Sequence, residues 1–267
     1  MVDDNNQKQL FYQKELLEEV KKSYVDMKLI PFIGAGFSEN IKGYPNWDEF
    51  IKILQVDLNI DEVHFFKKNF DNDFLEATEY YIIKKGEYLK HVLREGEDLF
   101  DKGREELRKL IEVQFKGKNY DDDKWVTHKK LIEAKDFGII FTTNWDDTLE
   151  KTCEALGKSY TKIVIERNLR DYLKMYLKNH MHKQIIKLHG DYERTDSIIA
   201  CETDYYKRIT ELSALDIKFM NDLLHYDFIF LGYSFRDINI KYIFHQMYTI
   251  LSRIPNESKP NIYFVSL

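Results

Sequence analysis

Between Gln9 and Met27 the apolar positions Leu10, Leu17, Val20 and Tyr24 recur at helical spacing, which predicts an amphipathic packing helix at the start of the chain, within residues 1–28. The period then changes. Leu29-Ile30-Pro31-Phe32-Ile33 is a short unbroken apolar run that ends in Gly34-Ala35-Gly36, the pattern of a buried strand entering a tight turn. Pro31 points to the start, edge or bulge of a strand, because proline brings no N–H to a ladder. From Trp47 to Lys130 the chain is charged and aromatic, with Leu107, Leu110, Ile111 and Phe115 at helical spacing and no alternating segment, so this region reads as mostly helical. Beyond it, apolar β-rich runs recur at Phe137–Thr143, Lys162–Ile165, Gln184–Leu188, Ser197–Ala200, Asp227–Leu231 and Asn261–Val265. Helical stretches at Asp147–Leu156, Asn168–Leu177 and Asp204–Leu224 separate most of them, the mark of βαβ units on a parallel sheet. The expectation is an α/β chain in one domain, 1–267. A Rossmann-like, mostly parallel sheet is flanked by helices, with its first strand at 29–33, a helical insertion at 47–130 and its main part at 131–267. The last apolar run stops two residues before the final one, which predicts that a C-terminal region follows.

Composition narrows the class. The chain has 46 acidic residues against 40 Lys and Arg, a formal charge of −6, and 43% apolar residues, which is enough for a core and too acidic for a general nucleic-acid binder. Eleven Gly and four Pro in 267 residues are half the usual share, which favours long regular elements over an all-β sandwich. Cys153 and Cys201 form no C-x-x-C pair, so neither a disulfide framework nor a four-thiolate zinc module can be built, and no metal is expected. No apolar run nears the ~18 residues of a membrane span and the polar N-terminus has no signal-peptide pattern, so a cytoplasmic protein without membrane contact is expected.

Four polar turns, each after an apolar run, could carry chemistry. Gly34, Ala35, Gly36 and Ser38 form a turn in which bare backbone can approach a phosphate, either glycine being free to adopt φ > 0; alternatively, Ser38 is a simple helix cap. Thr142-Thr143-Asn144-Trp145-Asp146-Asp147 places short polar side chains at a strand's carboxyl end, where α/β sheets bind ligands. Thr143 or Asn144 as an N-cap, with Asp146 and Asp147 on the helix dipole, is the alternative. In Lys187-Leu188-His189-Gly190-Asp191, His189 is a candidate general base with Asp191 near it in sequence, whereas His64, His91, His128 and His245 read as surface or satisfied helix residues. Gly232 and Ser234 of the Gly232–Asp237 stretch could border a second part of a nucleotide, with Asp237 capping a helix or binding a hydroxyl, or the stretch could be a plain β-to-α turn.

Taken in order, G-A-G-x-S, G-Y-P-N-W at Gly43–Trp47, T-T-N-W-D, K-L-H-G and G-Y-S-x-x-D resemble the sirtuin-like NAD-hydrolase domains of bacterial anti-phage defence proteins, over about Leu29 to Ile240. The resemblance implies NAD as substrate, cleaved between nicotinamide and ribose to nicotinamide and ADP-ribose. It implies Gly34, Ala35, Gly36 and Ser38 on the cofactor's phosphates, Asn144 on ribose and water with Thr143 beside it, and His189 as base. Asp146 then orients the nicotinamide side, and Gly232 and Ser234 lie along the adenosine half. Two departures weaken a protein-deacylase or ADP-ribosyltransferase reading: Thr143-Asn144 stands where deacetylases have Gln-Asn, and their four-cysteine zinc module is missing. A regulatory module that binds NAD or ADP-ribose without turnover is the other alternative. Because an always-active NAD hydrolase would kill its own cell, the resemblance also implies a homo-oligomer, with gating by assembly, by a partner protein or by a C-terminal sensor domain.

Overall fold

The computed structural model describes residues 2–41, 43–62, 65–71, 73–116, 119–121, 123–164, 182–255 and 259–265. Among these, six strands form one all-parallel sheet: β1 (Leu29–Ile33), β2 (Ile139–Thr142), β3 (Tyr160–Ile163), β4 (Lys183–Lys187), β5 (Asp227–Leu231) and β6 (Ile262–Val265), in the order β3-β4-β2-β1-β5-β6. The helices are α1 (Val2–Val25), α2 (Trp47–Asp57), α3 (Phe65–Phe70), α4 (Phe74–Tyr88), α5 (Leu99–Phe115), α6 (Val126–Glu133), α7 (Thr148–Ala155), α8 (Glu202–Thr210), α9 (Ala214–His225) and α10 (Ile238–Leu251). The expected α/β, Rossmann-like sheet flanked by helices is thus the observed one. After β1 the chain lays β2, β3 and β4 on one side, then crosses to lay β5 and β6 on the other. A reversal of this kind opens a crevice at the carboxyl ends of the strands.

Alternation along the strands buries both faces. Ile30, Phe32, Phe141, Ile186, Phe228 and Phe230 pack with Leu215, Phe219 and Leu223 of α9 and Ile240, Ile243 and Met247 of α10. Ile33, Ile140 and Ile185 pack with Leu131 and Ile132 of α6 and Leu149 and Cys153 of α7. Helices on both faces explain why the strands read as continuous apolar runs. Pro31 lies within a central strand, not at an edge. β1 pairs with β5 from Leu29 to Ile33, but its pairing with β2 begins at Phe32, just after the residue that lacks an N–H.

Several elements differ from the sequence expectation. Leu17 of α1 is 65% exposed, while at the helix end Ser23 donates to Asp227 (2.6 Å) and Tyr24 meets Phe137 edge-on. The stretch Asp204–Leu224 is two helices, broken at Glu211–Ser213 by a capping box in which Ser213 accepts from the Asp216 N–H and Asp216 accepts from that of Ser213. Ser197–Ala200 is not a strand: a short 3-10 turn at Thr195–Ser197 leads into chain that runs directly over Gly190. The expected helix at Asn168–Leu177 lies outside the described residues.

Helices α2, α4 and α5 share a second apolar core around Phe50, Leu54, Tyr81, Ile82, Leu107 and Ile111. Where α4 meets α5 the backbones touch, since a Cβ on Gly103 would lie 1.9 Å from the Ile82 carbonyl oxygen and one on Gly86 would lie 2.1 Å from that of Leu99. Gly103→Ala should therefore lower the melting temperature, overpacking costing roughly 1–3 kcal/mol against the ~1 kcal/mol that helix propensity returns. An unchanged or higher melting temperature would show that the two helices do not meet this closely.

Candidate active site at the carboxyl ends of the strands

The turns that follow β1, β2, β4 and β5 meet over the crevice. After β1, Ala35–Ser38 is a single 3-10 turn. It is laced to the β5 turn, with the Gly34 N–H on the Leu231 carbonyl (3.0 Å) and the Gly36 N–H on that of Gly232 (2.9 Å). A Cβ on Gly34 would sit 2.5 Å, and one on Gly36 3.0 Å, from the Gly232 oxygen. Gly36 does not adopt positive φ; close approach is what requires glycine there. Gly232 does, at φ +61°, and its own Cβ would lie 2.1 Å from the Phe37 nitrogen. The two glycine amides are thus engaged by the neighbouring turn. Ser38 caps no α-helix: its buried hydroxyl lies 3.3 Å from His128 Nε2 and 3.4 Å from Thr148 Oγ1.

After β2 the chain is pinned at each step. Thr142 Oγ1 donates to the Ile33 carbonyl (3.0 Å) and accepts from the Asn144 N–H (3.0 Å), while the Thr143 N–H reaches the Ile33 carbonyl at 3.4 Å. Asn144 is no N-cap. Its Nδ2 donates to the Gly34 carbonyl (3.1 Å), joining the first two motifs, and its buried Oδ1 has no hydrogen-bond partner among the described residues. Asp146 Oδ1 accepts from the Thr148 N–H (3.0 Å) and hydroxyl (2.5 Å). Asp147 accepts from the hydroxyls of Tyr44 (2.6 Å) and Tyr192 (2.7 Å) and faces Lys151 at 3.0 Å. Trp145 packs edge-on against Trp47, Phe50 and Phe115.

His189, buried at the end of β4, has Nδ1 3.2 Å from the Tyr205 hydroxyl and Nε2 3.1 Å from Asp237 Oδ2, out of line for a hydrogen bond. Gly190 turns the chain at φ +89°, where a Cβ would strike Ser197 O at 2.3 Å, and the Ile199 N–H closes on the His189 carbonyl (3.1 Å). Arg208, held by Asp216, donates to the Leu188 carbonyl. Asp191 is not the histidine's carboxylate: it pairs with Lys187 (2.5 Å) and Lys162 (3.1 Å). Ser234 is exposed on the turn that also carries Gly232 and Asp237. The structure therefore joins Gly34 to Asn144, Gly36 to Gly232, Ser38 to Thr148 beside Asp146, and His189 to Asp237.

Sequence reasoning missed Lys187, Arg208, Tyr205 and the role of His128. Lys187 is wholly buried. Its ammonium donates to the carbonyls of Trp145 (3.2 Å) and Asp146 and meets Glu150 (3.2 Å) and Asp191. A lysine set between Ile185-Ile186 and Leu188 was a visible signal. Burial opposes its charge, but Glu150, Asp191 and Asp146 outweigh burial and hold it charged. Burial pushes His128 down to about 4, with Asp146 opposing. It pushes His189 to about 4 as well, aided by Arg208 and opposed by Asp237 and Asp216. Both rings are therefore neutral at pH 7. Among the described residues no group of three or more His, Cys, Asp or Glu side chains could hold a metal ion, and no helix is long and apolar enough to cross a membrane.

Residues 138–266 match the family model of the SIR2-like domain. The chain is similar to the NAD(+) hydrolase ThsA of Acinetobacter baumannii, 24% identical over 231 residues that make up 86% of this chain and 41% of that protein. It is equally similar to ThsA of Bacillus cereus, 24% identical over 243 residues, 89% of this chain and 43% of that one. Defense-associated sirtuin 2 of Bacillus subtilis is 22% identical over 232 residues, 85% of this chain and 20% of its own. The chain spans about two fifths of the length of the ThsA proteins. The resemblance to sirtuin-like NAD-hydrolase domains of bacterial defence proteins thus extends from the motifs to most of the sequence.

The two neutral histidines fix how stability depends on pH. The unfolded chain binds their protons near pH 6.5 and the folded chain only near pH 4, so their contribution is complete above about 6.5 and is lost as pH falls toward 4. Urea unfolding should show a loss on the order of 2 kcal/mol per histidine between pH 7.5 and 5. His128→Gln should remove part of that slope. A slope in this window that the substitution leaves unaltered would mean that His128 titrates normally in the fold.

Proposed function

We propose that this chain is the catalytic domain of an NAD+ hydrolase that cleaves the nicotinamide–ribose bond, yielding nicotinamide and ADP-ribose, and that it acts in bacterial anti-phage defence by depleting NAD. The observation that carries the reading is the meeting of four motif turns over one crevice. One brings a buried amide oxygen with no partner among the described residues, Asn144 Oδ1, and another a buried neutral imidazole, His189. An unpaired polar atom at full burial marks a place built for a ligand or water. The similarity to proteins named NAD(+) hydrolase supports the same substrate.

Nicotinamide leaves NAD as a neutral base, taking the electron pair of the glycosidic bond, so the protein's task is to hold the dinucleotide, steady the oxocarbenium-like ribose and deliver water. Asn144 holds the ribose or the water through Oδ1, with Thr143 beside it. His189 takes the water's proton as oxygen bonds to the ribose carbon. Gly34, Ala35, Gly36 and Ser38 border the phosphates by close backbone approach, Asp146 the nicotinamide side, and Gly232 and Ser234 the adenosine half. The reading treats the chain as one sirtuin-like domain with the helices of 47–130 as an insertion. It further holds that the protein is cytoplasmic and homo-oligomeric, and that it is gated by a partner protein or by a sensor domain beyond this sequence.

The test is nicotinamide release from NAD by wild type, His189→Ala and Asn144→Ala, with melting curves on the same preparations. Each variant should stay folded and lose about 10²-fold or more in rate, the scale of a general base. Retention of activity within about threefold in His189→Ala would remove it as the base. Tight NAD binding without any product would make the chain a binding module, and release only with an acylated peptide present would make it a deacylase.

A further inference from the structure

We propose that Asp237 is a positioning residue for the reaction: its carboxylate stands against the His189 ring to hold the imidazolium that forms when the ring takes a proton. The inference rests on the hydrolase reading. Asp237 has a structural duty that uses one oxygen, Oδ1, which accepts from the Asn239 (2.9 Å) and Ile240 (3.2 Å) N–H groups and caps α10. The other oxygen, Oδ2, lies 3.1 Å from His189 Nε2, with the histidine side chain 4% and the aspartate side chain 10% exposed. On the far side of the ring, Nδ1 meets the buried Tyr205 hydroxyl at 3.2 Å.

This surrounding suits the charged ring better than the neutral one. The Tyr205 hydroxyl can donate to Nδ1 of the neutral ring or accept from a protonated one, so it does not distinguish the two forms. Asp237 does, because the imidazolium places a full positive charge beside its carboxylate, 3.1 Å from Nε2 in a buried setting, an attraction that the neutral ring lacks. Interactions that exist only after proton transfer are the ones that lower a barrier. The charged and titratable groups facing the ring are Arg208 and Tyr205 from α8, Asp216 from α9, and Asp237 from the cap before α10, with Tyr233 beside Asp237 and Tyr205. Arg208 and Asp216 are bound to each other through two guanidinium nitrogens and largely cancel. Asp237 is the carboxylate in contact, opposing the burial that makes the ring a poor base. In the step itself a water O–H bond breaks, its oxygen bonds the ribose carbon, its proton joins His189, and nicotinamide departs with the glycosidic electron pair.

Two other roles for Asp237 are separated from this one by the test. A cap alone would be satisfied by asparagine, which caps about as well. A ligand to ribose hydroxyls would act on binding. Wild type and Asp237→Asn, in the full native chain, are compared by melting curve, by kcat and KM for nicotinamide release, and by NMR titration of ¹³C-labelled histidine without NAD. The expected result is an unchanged melting temperature, KM within about threefold, and kcat down about tenfold or more, part of the about 10²–10⁴-fold a general base supplies. The acid limb of the rate profile should move to lower pH. The His189 resonance, which in wild type begins to titrate as pH approaches 4, should titrate about one unit or more lower. A raised KM with kcat kept, or unaltered kinetics, would overturn the proposal. If neither protein cleaves NAD, the titration still decides whether Asp237 and His189 are paired, so failure of the hydrolase reading stays separate from failure of this one.

Discussion

The Lys187 ammonium sits at full burial where β4 ends, among four oxygens: two backbone carbonyls of the turn after β2, the carboxylate of Glu150 on α7, and that of Asp191 just past the β4 turn. Removing such a charge from water costs several kcal/mol, repaid only when geometry and hydrogen bonds are close to complete. The arrangement is accordingly rigid. Because Lys187 stands beside Thr142 in the β2–β4 register, one side chain sets the height of the Asn144 turn relative to the His189 turn. A hydrophobic residue of similar volume could fill the space but could not tell the two carbonyls where to lie. Its cost therefore appears as geometry of the site, not as stability.

The same reasoning separates the carboxylates around His189. Asp191, one residue beyond Gly190, is committed to Lys187 and Lys162 and held below the usual carboxylate range by them in spite of burial. Asp216 is committed to Arg208. Asp237 alone among these three faces the ring of His189 at contact distance with no cation of its own in the same contact. Chain proximity would have chosen Asp191; cation pairing in space assigns it elsewhere.

Much of this was legible in the sequence, for identifiable reasons. The parallel sheet announced itself through unbroken apolar runs because both faces are covered, and the polar turns after β1, β2, β4 and β5 stood out because each interrupts such a run. What failed were features decided by contact across the fold. Ser197–Ala200 has a strand's composition but lies too close over Gly190 to join the sheet. Leu17 has a packing residue's period but stands mostly exposed. The break in Asp204–Leu224 was readable, since Ser213-Ala214-Leu215-Asp216 is a capping box written in the chain. The pairing of His189 with Asp237 and Tyr205 was not, because residues far apart in sequence carry no mark of their meeting.

The turn after β2 is held from outside the sheet by two unlike contacts, one from α2 and α5 and one from the loops that carry Tyr44 and Tyr192. Trp145, the residue after Asn144, is held by dispersion among Trp47, Phe50 and Phe115, which tolerates small sliding because ring contacts are soft and numerous. Asp147, two residues on, is held by directional bonds from Tyr44 and Tyr192, which do not tolerate sliding. Asn144 itself is anchored on the other side, to the Gly34 carbonyl and the Thr142 hydroxyl. The turn that carries Asn144 is thus fixed from three directions, and the amide whose oxygen has no hydrogen-bond partner among the described residues cannot shift without breaking a directional bond.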